Sequence, residues 1–349
     1  MNSIYVPLAD PKAQYLNLKE EINEAISRVL YKGNYVAGEE VEAFEEEWAR
    51  YCKAKYCVGV SSCTDALYLT LKVIAPEGGC IVWTTPFTFY ATAQAIVHSG
   101  NHPYFEDVGP DGNLPPCDYG VSVAVPVHMY GRPGRWTGKF VIEDAAQAHG
   151  LPLQGLAACH SFYPTKNLGA MGQAGAMVTN DKELAAGVRQ ARTYGEYDRF
   201  VCHFLTGNHR MDELQAAILR AKLPHLEGWN HKRRAIASRY RQALEYLDMI
   251  VLPEDDPLHN YHIFAIRVKK GKRDDLAGYL AKNNIRTSVR YPIPIHLQPG
   301  MRHLGHQRGE YPNAEAWCRE TLSLPMYPEM TTEQVEYVCE KVKEWGGMQ

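Results

Sequence analysis

Apolar positions along the chain follow two rhythms, short runs suited to strands and longer stretches at helical spacing between them. Leu18, Ile22, Ala25, Ile26 and Val29 recur at helical spacing, and Gly33 follows as a stop. Tyr56 to Val60 reads as a strand, and Thr64 opens a helix with the apolar stripe Leu67, Leu71 and Ile74. Cys80 to Trp83 predicts the next strand and Ala91 to His98 the next helix. Further strands are expected at Pro103 to Phe105, Val121 to Val127, Phe140 to Ile142, Ser161 to Tyr163 and Ala176 to Val178. Helices then take over at Lys182 to Arg192, Asp212 to Ala221 and Leu226 to Leu247.

After Pro253 the rhythm changes: strands at Tyr261 to Val268 and Ile285 to Val289, helices at Arg273 to Lys282 and Thr332 to Trp345. The polar, Gly-containing stretch Gln298 to Pro312 predicts a mobile loop. The pattern is that of an α/β chain: a large domain over residues 1–225, with a mostly parallel central sheet flanked by helices, then a linker helix and a smaller C-terminal α+β domain over 226–349. No repeat or low-complexity tract interrupts it.

Composition narrows the function classes. A formal charge of −3 over 349 residues offers no broad attraction to nucleic acid or an anionic membrane. The cluster Lys232-Arg233-Arg234 reads as a solvated helix face. The N-terminus has no signal-peptide pattern, and no apolar run approaches the about 18 residues that a membrane span needs. Nine dispersed cysteines without a C-x-x-C pair point to reduced thiols in a cytoplasm and against a zinc site. His303 and His306 lack further ligands at metal-site spacing, so no metal is expected.

Four stretches carry candidate chemistry. In Ser161-Phe-Tyr-Pro-Thr-Lys166-Asn-Leu-Gly169 a lysine follows a predicted strand on a loop, where scaffolds display reactive groups; taken alone, it reads as a surface lysine. In Val141-Ile-Glu-Asp144-Ala-Ala-Gln147-Ala-His149 an apolar strand ends in an acidic pair. Asp144 at a sheet edge wants a cation, for which a pyridinium nitrogen is one candidate, although a helix N-cap would also explain it. Val58 to Leu67 is a strand, a polar turn and a helix start, with Thr64 adding a hydroxyl and Ser161 able to approach. It can bind a phosphate or be an ordinary capped turn. Phe89 and Tyr90 stand at another strand end, where one could stack on a flat ring or pack in the core.

The order of these stretches, together with Pro126-Val-His-Met-Tyr-Gly131, Asn208-His-Arg-Met-Asp-Glu-Leu-Gln-Ala-Ala-Ile218 and His296-Leu-Gln-Pro299, resembles the sugar aminotransferase family (DegT/DnrJ/EryC1/StrS type) of fold-type-I pyridoxal-phosphate enzymes nearly end to end. The resemblance implies pyridoxal 5′-phosphate as cofactor, with pyridoxamine 5′-phosphate as its other form. It implies Lys166 as the Schiff-base lysine and proton carrier, Asp144 on the pyridine nitrogen, Gln147 near the phenolic oxygen and Phe89 stacked on the ring. Cys63, Thr64 and Ser161 match phosphate contacts, and Asn208 matches a residue reaching the phosphate from the neighbouring subunit of a homodimer.

By the same resemblance the reaction has two stages. L-glutamate gives its nitrogen to the cofactor, and a nucleotide-linked keto sugar then takes it. Tyr163 to Gly169 with Gly207 to Asp212 look most like members that aminate carbon 3 of a dTDP-3-oxo-6-deoxyhexose; the alternative is a 4-oxo sugar on dTDP or UDP. A non-catalytic cofactor-binding regulator is the rival from another class, and no DNA-binding appendage supports it. A histidine in place of the lysine would mark the related dehydratases, a cysteine on the 298–312 loop a desulfurase, and G-x-G-x-x-G a Rossmann oxidoreductase; none is present. Three features depart from the family pattern. Cys63 stands where glycine is frequent, so the turn must avoid a glycine-only conformation. Gln173 stands at a usually acidic place. The stretches 108–121 and 131–141 are short, each missing a connecting helix.

Overall fold

The structure is a computed structural model that describes residues 4–115, 123–134, 136 and 140–348. The segment with the clearest helical stripe forms the helix Lys19–Lys32, burying Ile22, Ala25 and Val29. It stops at Gly33, whose φ of 68° is the left-handed conformation that glycine adopts without a Cβ clash.

Seven strands form one sheet in the order Tyr56–Val60, Gly175–Thr179, Ala157–Ser161, Ile142–Asp144, Val123–Ala124, Ile81–Thr84, His102–Phe105. The parallel bridges Ala124 to Val141 and Val127 to Asp144 join its two halves. Only Gly175–Thr179 runs against its neighbours. Side-chain alternation serves two cores. Cys57, Ala158, Ala176 and Val178 pack with Phe44, Trp48 and Leu219 on one face, while Val58, Ala157, Cys159 and Met177 pack with Leu67, Leu71 and Val188 on the other. Both faces are covered by helices, so the carboxyl ends of the parallel strands are left to display chemistry.

A second, three-stranded antiparallel sheet orders Thr321–Leu324, Phe264–Val268 and Ile250–Val251. Its core draws on the helices Leu226–Leu244, Arg273–Lys282 and Thr332–Gly347. Val6 joins that core from the N-terminus and bridges Ile285.

The structure departs from the sequence pattern in identifiable places. The strand expected at Ser161 to Tyr163 is Ala157–Ser161, and the chain leaves the sheet after Ser161. The one expected at Phe140 to Ile142 lies two residues later, at Ile142–Asp144. Residues 285–289 make only isolated bridges, Val6 to Ile285 and Ser288 to Ser323, rather than a strand. Residues 298–312 include the 3-10 turn Pro299–Leu304, and Pro312–Glu320 is a helix the pattern did not suggest. Positions 121 and 122 of the expected strand, and part of the two short connections, lie outside the described residues.

The helix Glu39–Tyr51 lies in a stretch that the pattern leaves unassigned, and no side chain of its own N-cap residue closes its start. Its start is held from 172 to 175 residues away. The buried Glu213 carboxylate accepts from the N–H groups of Gly38 (2.9 Å), Glu40 (3.0 Å) and Val41 (3.1 Å). A charged acceptor satisfies three helix-end donors at once, locking this helix to Glu213–Lys222.

Candidate active site

The carboxyl ends of four parallel strands converge on one cavity of about 550 Å3, a size suited to a small ligand. Asp144 ends one strand and Ser161 another; the segment 61–64 follows a third and Phe89 lies beyond a fourth. Cys63, Thr64, Phe89, Asp144, Gln147, Ser161 and Lys166 thus share its wall, as the sequence reading requires of a single site. Asn208 does not line the cavity of its own chain. It is exposed, and its Oδ1 accepts from Arg210 Nε at 2.9 Å.

Lys166 sits on the loop after Ala157–Ser161, and its backbone N–H closes a turn onto the Tyr163 carbonyl at 2.8 Å. The loop is pinned by the next residue. Asn167 donates to Asn230 Oδ1 (2.8 Å) and its carbonyl oxygen faces His262 Nδ1 (3.0 Å), while His149 Nδ1 accepts from Leu168 N–H (3.0 Å). Burial drives the imidazoles of His149 and His262 well below the usual histidine range, so both are neutral scaffolding. Gly169 is required here, since a Cβ would stand 2.4 Å from the Pro164 carbonyl oxygen. The Lys166 amine itself makes no hydrogen bond or ion pair with a described residue.

Burial lowers the Lys166 pKa to about 8, with Cys63 and Asp144 opposing and Arg290 assisting. A depressed pKa leaves neutral, nucleophilic amine available near physiological pH. The rate at which Lys166 in the apoprotein captures an aldehyde reagent should therefore rise through about pH 8 and level above it. A pH series read by mass shift at Lys166 checks this; an inflection at the ordinary lysine value of 10.5 would mean that burial does not act.

Asp144 is 6% exposed, and no helix follows it; residues 146–147 form a turn, which removes the helix N-cap reading. Its Oδ2 accepts from Thr92 Oγ1 at 2.7 Å and its Oδ1 from Ala146 N–H at 3.2 Å. No described cation lies within ion-pair distance of it. A buried carboxylate facing a cavity with hydroxyl and amide donors but no cation is suited to a ligand that brings one.

The turn after Tyr56–Val60 starts the helix Cys63–Ile74, capped by Ser62 Oγ on Asp65 N–H (3.1 Å). The N–H groups of Cys63 and Thr64 have no acceptor among the described residues, so the helix end presents free donors to the cavity. Cys63 has ordinary helical backbone and no positive φ, which removes the objection to a non-glycine residue there. Its Sγ–H turns away to the Cys159 carbonyl (3.3 Å), and burial keeps it a thiol. Gly175 lies so close beneath that a Cβ would stand 2.2 Å from the Ser62 carbonyl carbon. Asp65 would repel an anion, yet it is tied up by Ser61 Oγ (2.6 Å), Ser62 Oγ (2.7 Å) and His209 Nδ1 (2.9 Å). Burial alone would raise its pKa, but these bonds more than offset that and lower it.

Phe89 is 40% exposed at the cavity rim, its ring tilted by 37° against Tyr90 with centroids 3.9 Å apart. Gln147 accepts from Tyr130 N–H (2.7 Å) and donates to Tyr291 OH (3.1 Å). Sequence reasoning missed Thr92, Thr165, His262, Arg290 and Tyr291, which also line the site. Arg290 and Tyr291 sit in the stretch taken for an ordinary strand end, and no local signal marked them. His296, which opens the matching stretch His296 to Pro299, is buried against Glu315 (3.3 Å) and does not line the cavity. Gln173 is exposed at the cavity edge.

Comparison with known proteins adds an independent finding. A family profile described as "DegT/DnrJ/EryC1/StrS aminotransferase family" matches residues 16–343. A Geobacillus stearothermophilus protein named "Pleiotropic regulatory protein" is 39% identical over 97% of this chain and 98% of its own length. The Streptomyces venezuelae dTDP-3-amino-3,4,6-trideoxy-alpha-D-glucose transaminase is 36% identical over 98% and 96%. Among solved structures, S. venezuelae DesV in complex with a ketimine intermediate superposes with a TM-score of 0.93 at 36% identity, covering 98% of both chains. NtdA from Bacillus subtilis with bound cofactor PMP gives 0.88 at 29%, covering 98% of this chain and 85% of NtdA.

Proposed function

The chain belongs to the DegT/DnrJ/EryC1/StrS aminotransferase family, with the fold-type-I architecture, and from that premise we propose that it transfers an amino group from L-glutamate to a nucleotide-linked keto sugar. The substrate we assign is a dTDP-3-oxo-6-deoxyhexose, giving the 3-amino-3,6-dideoxyhexose, because relatives 36% to 38% identical are named for dTDP-linked 3-amino sugars. The observation that carries the reading is one cavity holding an unpartnered lysine amine, a buried carboxylate without a cation and a helix end with free N–H donors. Each matches one part of pyridoxal 5′-phosphate: aldehyde, ring nitrogen and phosphate. That cofactor, when bound, supplies a carbonyl that holds nitrogen and a ring that withdraws electrons from the adjoining carbon.

The chain's own residues then divide the work. Asp144, oriented by Thr92, would hold a proton on the ring nitrogen. The N–H groups of Cys63 and Thr64 and the Ser161 hydroxyl would hold the phosphate. Phe89 would cover the ring, and Gln147 would present its amide to the phenolic oxygen. Lys166 would anchor the cofactor through Nζ, take the proton from the donor's α-carbon and return one to the sugar carbon. Asn208 would contribute to the phosphate site of a partner subunit in a homodimer. The exposed apolar side chains of Tyr31, Phe200 and Leu205 support such an interface.

No helix among the described residues is long and apolar enough to cross a membrane. We place the reaction in the cytoplasm, where dispersed thiols stay reduced, and assign no nucleic-acid or membrane partner. The name of the G. stearothermophilus relative raises a second reading, a cofactor-binding regulator without turnover. One experiment addresses all of these: mass spectrometry of dTDP-3-oxo- and dTDP-4-oxo-6-deoxyhexoses incubated with enzyme, cofactor and L-glutamate. Amination of the 3-oxo sugar alone is the expected result. Amination of the 4-oxo sugar alone would keep the chemistry and discard the regiochemistry, and an unchanged pair with cofactor bound would favour the regulator.

A further inference from the structure

One buried side chain ties the Asp144 turn and the Lys166 loop to the smaller domain. Asn260 stands shortly before the strand Phe264–Val268 and is 1% exposed. Its Nδ2 donates to the carbonyls of Gln147 and His149, both at 2.9 Å, and its Oδ1 accepts from His262 N–H at 2.9 Å. Each of these partners has a fixed polarity, so the amide has one orientation. The backbone continues the tie. Its N–H donates to the Gly131 carbonyl at 3.1 Å, and its carbonyl accepts from Asn167 Nδ2 at 3.4 Å. Only glycine fits at 131, where a Cβ would overlap Asn260 Oδ1.

The two histidines gripped by this amide are the ones that pin the Lys166 loop. His149 Nδ1 accepts from Leu168 N–H, and His262 Nδ1 faces the Asn167 side-chain oxygen. Gln147 depends on Asn260 still more. Among the described residues no other group donates to its carbonyl, whereas the His149 carbonyl also receives Asn230 Nδ2 at 3.1 Å. The far end of Gln147 is fixed by Tyr130 N–H on Oε1, which turns Nε2 to Tyr291 OH on the cavity wall. A buried carbonyl left without a donor is costly, so without Asn260 the turn would have to move to find one.

Resting on the cofactor proposed above, we infer that Asn260 is a positioning residue of the active site, acting from the smaller domain through Gln147 and the Lys166 loop. It does not line the cavity and touches no reacting group. Its amide sets the Gln147 backbone, and with it the N–H that Gln147 offers to the ring's phenolic oxygen. The same amide keeps His149 and His262, and hence the loop that carries Lys166, in register with that turn. The smaller domain cannot shift at this point without moving both, so the tie fixes the distance between the amine and the ring's polar edge.

Wild type, Asn260→Ala, Asn260→Ser and the control Tyr240→Phe are compared with and without pyridoxal phosphate. Tyr240→Phe removes one buried bond, to the Pro325 carbonyl at 2.9 Å, in the core of the smaller domain and away from the cavity. In the apoprotein, hydrogen exchange is read at Tyr130 N–H and Leu168 N–H relative to amides of the central sheet. It should speed up by about 10- to 100-fold in Asn260→Ala, as loss of two neutral bonds predicts, and by less in Asn260→Ser, which keeps one donor. Tyr240→Phe should leave both amides within about twofold. In the holoprotein, the pH at which the cofactor's visible band titrates should move upward in the Asn260 variants and not in Tyr240→Phe. A phenolic oxygen that loses a donor holds a proton more tightly. Unchanged exchange at both amides would overturn the inference; so would equal acceleration in Tyr240→Phe, or faster exchange with an unmoved band. If Asn260→Ala does not fold, Asn260→Ser decides by the same two readouts. A wild type that takes up no pyridoxal phosphate would defeat the proposed cofactor instead, and exchange in the apoprotein would still decide what Asn260 holds.

Discussion

Lys166→Ala is expected to lose at least about 10^3-fold in turnover while the protein stays folded. In the proposed reaction the amine takes a proton from one carbon and returns it to another, and among the described residues no other unpartnered amine or imidazole sits at that wall. Its neighbours His149 and His262 are neutral and engaged in holding the loop. Among the described residues the amine makes no hydrogen bond or ion pair, so the variant removes chemistry without removing support. The sign of the stability change follows from the pKa. A lysine whose folded value is about 8 and ordinary value 10.5 is an ammonium held at a cost below pH 8. The apo variant should then melt at or above the wild type at pH 7, and the gap should narrow as pH rises from about 8 towards 10.5. Steady-state rates on the aminated sugar and apo melting curves across pH measure both. Near-normal turnover would overturn the assignment, and a lowered melting point would show that the amine supports the loop.

Much of the site was legible because each piece follows from local chemistry. A strand, a polar turn and a helix start at Val58 to Leu67 announce free N–H donors. A strand ending in Asp144 announces an edge carboxylate, and a Pro/Asn/Gly-rich segment around Lys166 announces a loop. What local chemistry does not encode is which distant side chain completes each piece. Thr92 reaches Asp144 from 52 residues away, and Tyr291 reaches Gln147 from 144. Neither threonine nor tyrosine carries a pattern that marks it.

The same reasoning explains the fold-level differences. The central strands are apolar on both faces, and their alternation survives in sequence. The helix Glu39–Tyr51 lacks a capping side chain at its own start, and Glu213, which caps it, lies more than 170 residues away in sequence. The stretch 285–289 has strand composition, but it lacks an edge to pair with beyond single bridges to Val6 and Ser323. It instead delivers Val289, Arg290 and Tyr291 into the cavity. A segment with the propensity of one element and the job of another is where sequence rules give way to tertiary context.

The second large effect is expected at Asp144. Asp144→Asn should lower turnover by about 10^2- to 10^3-fold, the range seen when one preorganised electrostatic partner is removed. The amide keeps the shape; its oxygen can accept from Ala146 N–H while its NH2 group donates to Thr92 Oγ1, so the strand end should hold. What is lost is the negative charge that favours a proton on the ring nitrogen, and with it the ring's pull on electrons. In the apoprotein that charge has no described cation and is buried, so removing it should leave the melting temperature unchanged or raise it. The added stability that cofactor binding confers should shrink in the same variant, because the bound ring loses its partner. Thr92→Val provides the graded control. It keeps the carboxylate and removes only one neutral donor, so its turnover should fall by about tenfold. Full activity in Asp144→Asn would overturn the pairing. An apo melting point that falls together with activity would assign Asp144 to holding the strand end, and would move the proton on the ring to another residue.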